Sequence, residues 1–266
     1  MTKKAFVVGA HTKTSLSPYI FNYWFKQNKI DGEYLFKEIE PQLFKKEINQ
    51  ILKQKNICGF NITIPFKELV GEKLDELDVF SEEIGAVNCI SRVNNKWVGR
   101  NTDWIGFLSS IRPVIKKLSK KKATVIGYGG AAKSIVYALK KEEFKEIRIY
   151  NRTPEKTKQI SKEDTIKIIS VNEIEKAISE TDIIVNTIPA NILDDLNLNK
   201  NKKKIFACDI VYNPKETGFL SHFEEEKRIY GIAMLVYQAA PCFEEWFGTK
   251  PLIDKKLFNF LDQIIK

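Results

Sequence analysis

The sequence is short of the residues that build metal centres and covalent frameworks. Histidine occurs twice in 266 residues, at His11 and His222. The four cysteines, Cys58, Cys89, Cys208 and Cys242, form no C-x-x-C pair, so neither a metal site nor a disulfide scaffold is expected, and free thiols in a reducing compartment are. Long apolar runs are missing too. No stretch reaches the roughly 20 residues of a bilayer-spanning helix. Met1-Thr2-Lys3-Lys4 is followed by only a brief apolar run, Ala5 to Val8, unlike a signal peptide, so a cytoplasmic protein is expected. There is no internal repeat and no low-complexity linker. Positive charge is plentiful, with 43 Lys and Arg against 34 Asp and Glu for a net +9. The lysines nevertheless fall in short scattered clusters (Lys116-Lys117, Lys120 to Lys122, Lys202 to Lys204), without an aromatic-interleaved basic stripe. That argues against nucleic acid and for a solvated surface that modestly draws in anionic ligands.

What is present is an α/β pattern long enough for one large domain or two smaller ones. Its most informative stretch is Thr124 to Ser134, where the apolar run Thr124-Val125-Ile126 breaks at Gly127-Tyr128-Gly129-Gly130-Ala131 and resumes at helical spacing through Ile135, Val136 and Leu139. Gly127, Gly129 and Ala132 fit the three positions of G-x-G-x-x-G/A, where glycine lets the backbone approach a pyrophosphate and a helix start donates its N–H groups. A second strand, Glu146 to Tyr150, follows as a βαβ unit requires. It ends in Asn151-Arg152-Thr153. A ribose 2′-hydroxyl would call for an acid here, whereas Arg152 offers a planar cation for a 2′-phosphate, which favours NADP.

Taken in order, Ala5 to Val8 reads as a first strand. Ser15 and Ser17 precede a helix carrying Ile20, Phe21, Trp24 and Phe25, with Ser17-Pro18 as N-cap and N1. Those hydroxyls fit a cap and an anion site equally. A strand over 33–39 and an amphipathic helix over 41–52 follow. In Asn61-Ile62-Thr63-Ile64-Pro65-Phe66-Lys67, Ile62 and Ile64 should share one strand face and Asn61, Thr63 and Pro65 the other. Lys67 should open a helix carrying Leu69, Leu74 and Leu77, where an ammonium opposes the macrodipole; it reads either as a site residue or as one exposed lysine among many. Next are a strand over 84–90, an Asn94-Asn95 turn and a helix from Trp104 to Ile111 that Asp103 could cap. Beyond Arg152 the expectations are a helix over 154–160, strands over 166–169, 182–186 and 205–212, helices over 171–178 and 218–228, a turn at Gly231, and helices over 234–246 and 252–265. Gln238 is an amide on an apolar helix face, so it needs a partner, either substrate or a backbone carbonyl.

Seven stretches, in one order, resemble shikimate dehydrogenase across nearly the whole chain: Ser15 to Pro18, Asn61 to Lys67, Gly85 to Asn88, Asn101 to Asp103, Gly127 to Ala131, Asn151 to Thr153 and Met234 to Ala240. The resemblance implies an α/β fold of two domains around a cleft. An N-terminal substrate-binding domain over 1–103, completed by C-terminal helices over 233–266, would receive an inserted Rossmann NADP-binding domain over 104–232. It also implies reversible NADP-dependent hydride transfer between shikimate and 3-dehydroshikimate in aromatic amino-acid (chorismate) biosynthesis. By position, Lys67 and Asp103 would be the catalytic pair. Ser15, Ser17 and Tyr212 would hold the substrate carboxylate, and Thr63, Asn88 and Gln238 the ring hydroxyls. Gly127, Tyr128, Gly129, Gly130, Ala131, Asn151, Arg152, Thr153, Lys156, Ile210 and Gly231 would contact NADP. The chain departs from the family pattern at His11, Thr14, Asn191 and Ala233, changes that bear on affinity more than on reaction class. Two readings stay beside this one: a quinate/shikimate dehydrogenase of broader specificity, and a non-catalytic NADP-binding regulatory homologue, for which Lys67 and Asp103 would be superfluous. The expected partners are a small-molecule substrate, with no nucleic acid and no membrane, in a monomer or homodimer.

Overall fold

Short β-branched and aromatic runs become the strands of two six-stranded sheets. The computed structural model describes residues 2–157, 160, 164–190, 192–193 and 204–265, with backbone only at 154 and 156. The chain divides into two compact units, Met1–Gly106 with Val236–Ile264, and Phe107–Leu235 with Ile265–Lys266.

In the first unit, β1 (Lys3–Gly9), α1 (Ser17–Asn28), β2 (Gly32–Glu38), α2 (Phe44–Leu52) and β3 (Ile57–Ile62) form a parallel half-sheet in the order β2-β1-β3. β4 (Glu76–Leu77) and α3 (Val79–Ile84) lead to the hairpin β5 (Cys89–Val93) and β6 (Lys96–Arg100), which extends the sheet antiparallel beyond β3. Asn94 and Asn95 both take positive φ, 49° and 65°, as a tight two-residue hairpin turn demands. The helical spacing of α2 turns Phe44, Ile48 and Ile51 onto Phe60, Ile62 and Phe66. Phe21 and Trp24 of α1 pack against Tyr34 and Phe243, the Phe21 and Tyr34 rings stacking at 4.0 Å.

α4 (Asp103–Ile111) leads into the second unit, built from β7 (Lys122–Ile126), α5 (Gly130–Lys141), β8 (Glu146–Tyr150), β9 (Ile166–Ile169), α6 (Ile174–Ser179), β10 (Ile183–Asn186), β11 (Phe206–Asp209), α7 (Gly218–Ser221) and β12 (Arg228–Tyr230). All its strands are parallel, in the order β12-β11-β10-β7-β8-β9. This is a doubly wound sheet whose connections reverse direction between β7 and β10. α8 (Gly231–Phe247) returns the chain to the first unit, where α9 (Lys255–Asp262) ends it, capped by Asp254 on the Leu257 N–H.

Several sequence expectations are corrected. No helix runs from Lys67 through Leu77: Val70 and Leu69 turn back onto the Phe66 carbonyl, a 3₁₀ turn occupies Gly71–Lys73, and β4 pairs with β6. Burial of Phe66 and Val70, both 0% exposed, fixes that turn, and tertiary packing overrides the leucine spacing. The macrodipole argument for Lys67 goes with the helix. Ile64 does not share a strand face with Ile62; β3 ends at Ile62 and Ile64 is 62% exposed. Ile84 ends α3, with Gly85 at φ 71° turning the chain out, so the strand expected over 84–90 starts only at Cys89. Leu16, not Ser17, is the N-cap of α1, and Asp103 is the first residue of α4 rather than its cap. In place of a helix over 218–228 stand the four-residue α7 and the short β12, whose three residues show no alternation to read; Gly231 opens α8 instead of forming a turn. The strand over 205–212 stops at Asp209. Of the helix over 154–160 the structure describes a 3₁₀ turn at Pro154–Thr157, with residues 158 and 159 outside the described residues.

Candidate active site and nucleotide cradle

Strand direction gathers the first unit's candidates at one edge. Thr63 follows the carboxyl end of β3. Asn88 precedes β5, which runs antiparallel to β3 with Cys89 opposite Asn61. Asp103 follows β6, antiparallel again, with Arg100 opposite Cys89. The β1–α1 loop, which holds Ser15 and delivers Ser17 as the first residue of α1, leaves the same edge, tied to the end of β3 by Thr63 N–H to Val8 O (2.8 Å) and Ala10 N–H to Ile64 O (3.1 Å).

At that edge Lys67 Nζ donates to Asp103 Oδ2 at 2.6 Å, with the two side chains 13% and 5% exposed. Asn88 sits under the pair. Its Nδ2 lies 2.9 Å from Asp103 Oδ1, 2.9 Å from Thr102 Oγ1 and 3.0 Å from Gln238 Oε1, while its Oδ1 accepts from the Thr102 N–H at 2.7 Å. An amide has two protons, so three acceptors share them, and none of this buried amide's capacity is wasted. Thr102 Oγ1 in turn donates to Gln238 O at 2.9 Å, and Asn101 Oδ1 accepts from the Asp103 N–H at 3.0 Å. A lower tier supports the first: Tyr34 OH donates to Asn61 Oδ1 (2.7 Å), and Asn61 Nδ2 donates to Asn88 O (2.9 Å). Such a satisfied buried network fixes one geometry. Lys67 has three donors, and Asp103 is its one partner among the described residues, so the ammonium can also serve an incoming oxygen. Cys89 and Cys242 border the network; the Cys242 thiol beside it, together with burial, holds the Cys89 thiol well above its ordinary range, leaving it inert.

Ser15 and Ser17 meet directly, the Ser17 N–H donating to Ser15 Oγ at 3.2 Å, while the N-cap residue between them, Leu16, makes no side-chain cap bond. Tyr212 follows β11 in the second unit. Sequence reasoning gave no role to Thr102, Asn101 or Asn61. Thr102 and Asn101 adjoin Asp103 in sequence, and Asn61 is a lone amide in an apolar strand, the signal that singled out Gln238.

In the second unit the predicted cofactor residues follow the carboxyl ends of β7, β8, β11 and β12, where a doubly wound sheet binds ligands. Gly127 takes φ +98°, and a Cβ there would lie 2.4 Å from Thr187 Oγ1. A Cβ on Gly129 would meet nothing within 4 Å. This opening faces the uncapped start of α5, where Lys133 N–H to Gly129 O (3.0 Å) leaves the amides of Gly130, Ala131 and Ala132 ahead of the first intrahelical bond. Cradle and donors fit a pyrophosphate. Tyr128 lies in this loop, its ring 5.8 Å from the Lys133 ammonium. Arg152 and Thr153 are exposed after β8, in a turn that Asn151 Nδ2 closes on Thr153 O at 2.7 Å. The side chain of Lys156, and Asn191 altogether, lie outside the described residues. Gly231 packs its bare Cα against the end of β11, where a Cβ would sit 2.6 Å from the carbonyls of Asp209 and Ile210. Ile210 is held by its N–H to Asn186 O (3.1 Å). Burial pushes the Asp209 carboxyl above its usual range, and bonds from Thr217, Val211 and Asn186 partly offset this while tying β10 to β11 and α7.

Comparison with known proteins agrees with this layout. Residues 7–90 match the family described as shikimate dehydrogenase substrate binding domain, and residues 110–217 the family described as shikimate / quinate 5-dehydrogenase. The shikimate dehydrogenase (NADP(+)) of Dictyoglomus turgidum is 40% identical over 93% of this chain and 92% of its own. Among solved structures, the shikimate dehydrogenase of Aquifex aeolicus superposes with a TM-score of 0.85 at 32% identity over 97% of both chains. That of Listeria monocytogenes, solved with shikimate and NAD, gives 0.83 at 26% identity over 98% of this chain and 96% of its own. With a largely buried lysine–aspartate pair in one unit, an open glycine turn at a helix start in the other, and relatives alike along almost their full length, the chain belongs to the shikimate dehydrogenase family.

Proposed function

We propose that the chain catalyses reversible NADP-dependent hydride transfer between shikimate and 3-dehydroshikimate, a step of aromatic amino-acid (chorismate) biosynthesis. The observation that carries this is the Lys67–Asp103 pair, 2.6 Å apart and buried on a network that holds both groups still. Bound NADP supplies the two-electron chemistry, exchanging a hydride with the carbinol carbon. The chain handles the proton. Lys67 gives it to the ketone oxygen in reduction and, having first lost a proton to water, takes it from the hydroxyl in oxidation. Asp103 fixes the ammonium with Oδ2 and accepts from an adjacent substrate hydroxyl. Asn88, its protons already shared among Asp103, Thr102 and Gln238, holds Asp103 in place and contacts the ring hydroxyls only from its edge. Ser15 and Ser17, with Tyr212, receive the substrate carboxylate; Thr63 and Gln238 complete the polyol pocket.

Residues 1–103 with 233–266 form the substrate-binding part, and residues 104–232 the NADP-binding part. There the Gly127 to Ala131 loop takes the pyrophosphate, and Asn151, Arg152, Thr153 and Lys156 the adenosine 2′-phosphate. With all four cysteines free, the chain works in the reducing cytoplasm. The test is NADP reduction by purified protein with shikimate, run beside quinate and beside NAD. Turnover with shikimate and NADP, well above the other three pairings, is expected. No reduction with shikimate overturns the proposal, and equal rates with quinate replace it by the broader specificity.

A further inference from the structure

The loop that carries Ser15 is tied down from two sides. Toward β3, the Ala10 N–H bonds Ile64 O at 3.1 Å, and Gly9 sits so close that a Cβ on it would meet Thr63 Cγ2 at 2.4 Å. Toward β2 stands Glu38, the last residue of that strand and the register partner of Gly9. Its Oε1 accepts from the Thr12 N–H at 3.0 Å and from the Lys13 N–H at 3.1 Å, and its Oε2 lies 3.2 Å from the Lys13 ammonium. The Lys13 N–H foremost, then the Lys13 ammonium and the Thr12 N–H, hold the Glu38 carboxyl below its usual range, so it is ionised at neutral pH. Thr12 and Lys13 open a four-residue turn that Ser15 N–H closes on Thr12 O at 2.9 Å, and Ser15 Oγ then accepts from the Ser17 N–H. One carboxylate thus holds the first two amides of the turn that ends in Ser15. Among the described residues, Glu38 is the one side chain from outside the loop that bonds its backbone over 11–15. Thr12 adds no tie through its own side chain: the residue is 0% exposed, yet its hydroxyl has no partner among the described residues.

We infer that Glu38 is a positioning residue for the substrate carboxylate, fixing the Thr12–Ser15 turn so that Ser15 and Ser17 present their hydroxyls in one preset geometry. This rests on the reading, proposed above, that those serines receive the carboxylate. The sign of its charge separates the two ways Glu38 could act. A carboxylate near an anion site repels the anion, so if Glu38 acted through its field alone, removing it would tighten binding. Acting through the turn, its removal loosens binding. An untied loop that takes the bound shape only about a tenth of the time raises the apparent binding constant about tenfold. The substrate carboxylate is unchanged by the reaction, so it is held alike in ground and transition states, and KM moves while kcat does not. The amides of Thr12 and Lys13 ask only for an acceptor. Glutamine, with a carbonyl oxygen at the same reach, should therefore serve where alanine does not.

The test is steady-state NADP reduction with shikimate and with its methyl ester, by wild type, Glu38→Ala and Glu38→Gln. Glu38→Ala should raise the KM for shikimate at least ~10-fold with kcat within about threefold, and Glu38→Gln should keep KM within about threefold of wild type. The uncharged ester should already bind wild type weakly, and Glu38→Ala should add no more than about twofold to its KM, because both changes strike the same contact. Amide exchange at Thr12, Lys13 and Ser15 should quicken in Glu38→Ala, while circular dichroism and the Kd for NADP stay as in wild type. A KM for shikimate that is unchanged or lowered in Glu38→Ala overturns the inference. So does a rise just as large for the ester, or a kcat that falls as KM rises, either of which marks a general structural effect. In those cases wild-type turnover of shikimate leaves the proposed function standing; a wild type that does not turn over shikimate overturns both.

Discussion

Replacing Lys67 by methionine separates the charge from the stem that carries it. The native side chain is 13% exposed, and methionine fills much the same unbranched volume while removing the ammonium. A positioned proton-transfer group contributes about 10²- to 10⁴-fold, so kcat should fall by that factor, or ~2.7 to 5.4 kcal/mol at 1.36 kcal/mol per decade. Stability should suffer less. Asp103 loses the cation on Oδ2 but keeps Asn88 Nδ2 on Oδ1 at 2.9 Å. Folding should therefore weaken by ~1 to 3 kcal/mol, below the 3 to 5 of a fully stranded buried charge. A domain stable by about 5 to 15 kcal/mol stays folded under that loss, so the kinetics remain measurable. Steady-state NADP reduction with shikimate, paired with a urea melt, gives both numbers. Because the ammonium acts on the reacting oxygen, kcat and kcat/KM should drop together with KM nearly constant. Turnover within about threefold of wild type, in protein that melts normally, would refute the role given to Lys67.

The other expectations are quickly stated. Asn88→Ala strips the network of its centre and should reduce folding stability by ~2 to 4 kcal/mol in urea, a loss under 0.5 showing the network to be slack. Gly127→Ala forces a Cβ into a left-handed backbone 2.4 Å from Thr187 Oγ1 and should destabilise by ~1 to 3 kcal/mol, whereas Gly129→Ala has φ −103° and open space and should leave the melt unchanged while weakening NADP binding. Arg152→Ser should raise the Kd for NADP by at least about tenfold and leave that for NAD within twofold, as titration of both nucleotides will show. Lys167 first, and Arg148 beside it, hold the Glu146 carboxyl below its ordinary value of 4.5. A lowered folded value adds stability above that pH and loses it as the pH falls through the lowered one, so the deficit of Glu146→Gln relative to wild type at pH 7 should close on acidification.

The doubly wound unit was largely legible because parallel strands buried on both faces leave runs that need no partner to be recognised: Glu146 to Tyr150, with Ile147 to Ile149 buried, is a strand to the residue. The partly exposed edge strand Ile166 to Ile169 was legible from its isoleucine-rich run instead. Legibility failed where local pattern and tertiary packing disagreed. Leu69, Leu74 and Leu77 have helical spacing, yet the burial of Phe66 and Val70 on the α2 side of the sheet commits the chain to turns and to β4. β12 escaped notice for the opposite reason. Three residues carry no period, and Ile229 reads as a strand only once it lies opposite Cys208.

The active-site network shows what sequence withholds even when it names the right residues. Lys67, Asn88, Asp103 and Gln238 span 171 positions, from Lys67 to Gln238, and their assembly rests on two reversals of direction, β3 to β5 and β5 to β6, that put the start of one strand beside the ends of its neighbours. Neither reversal has a motif except the Asn94-Asn95 turn, so only one of the two was written locally. What was written locally is the chemistry of isolation: a single amide or hydroxyl in an apolar element must be satisfied by something distant. Applied to every such residue rather than to Gln238 alone, that rule would also have pointed to Asn61 in β3, which proves to hold the carbonyl of Asn88 and, through it, the residue that steadies Asp103. A lone buried polar group is thus an address without a name, and the fold supplies the name.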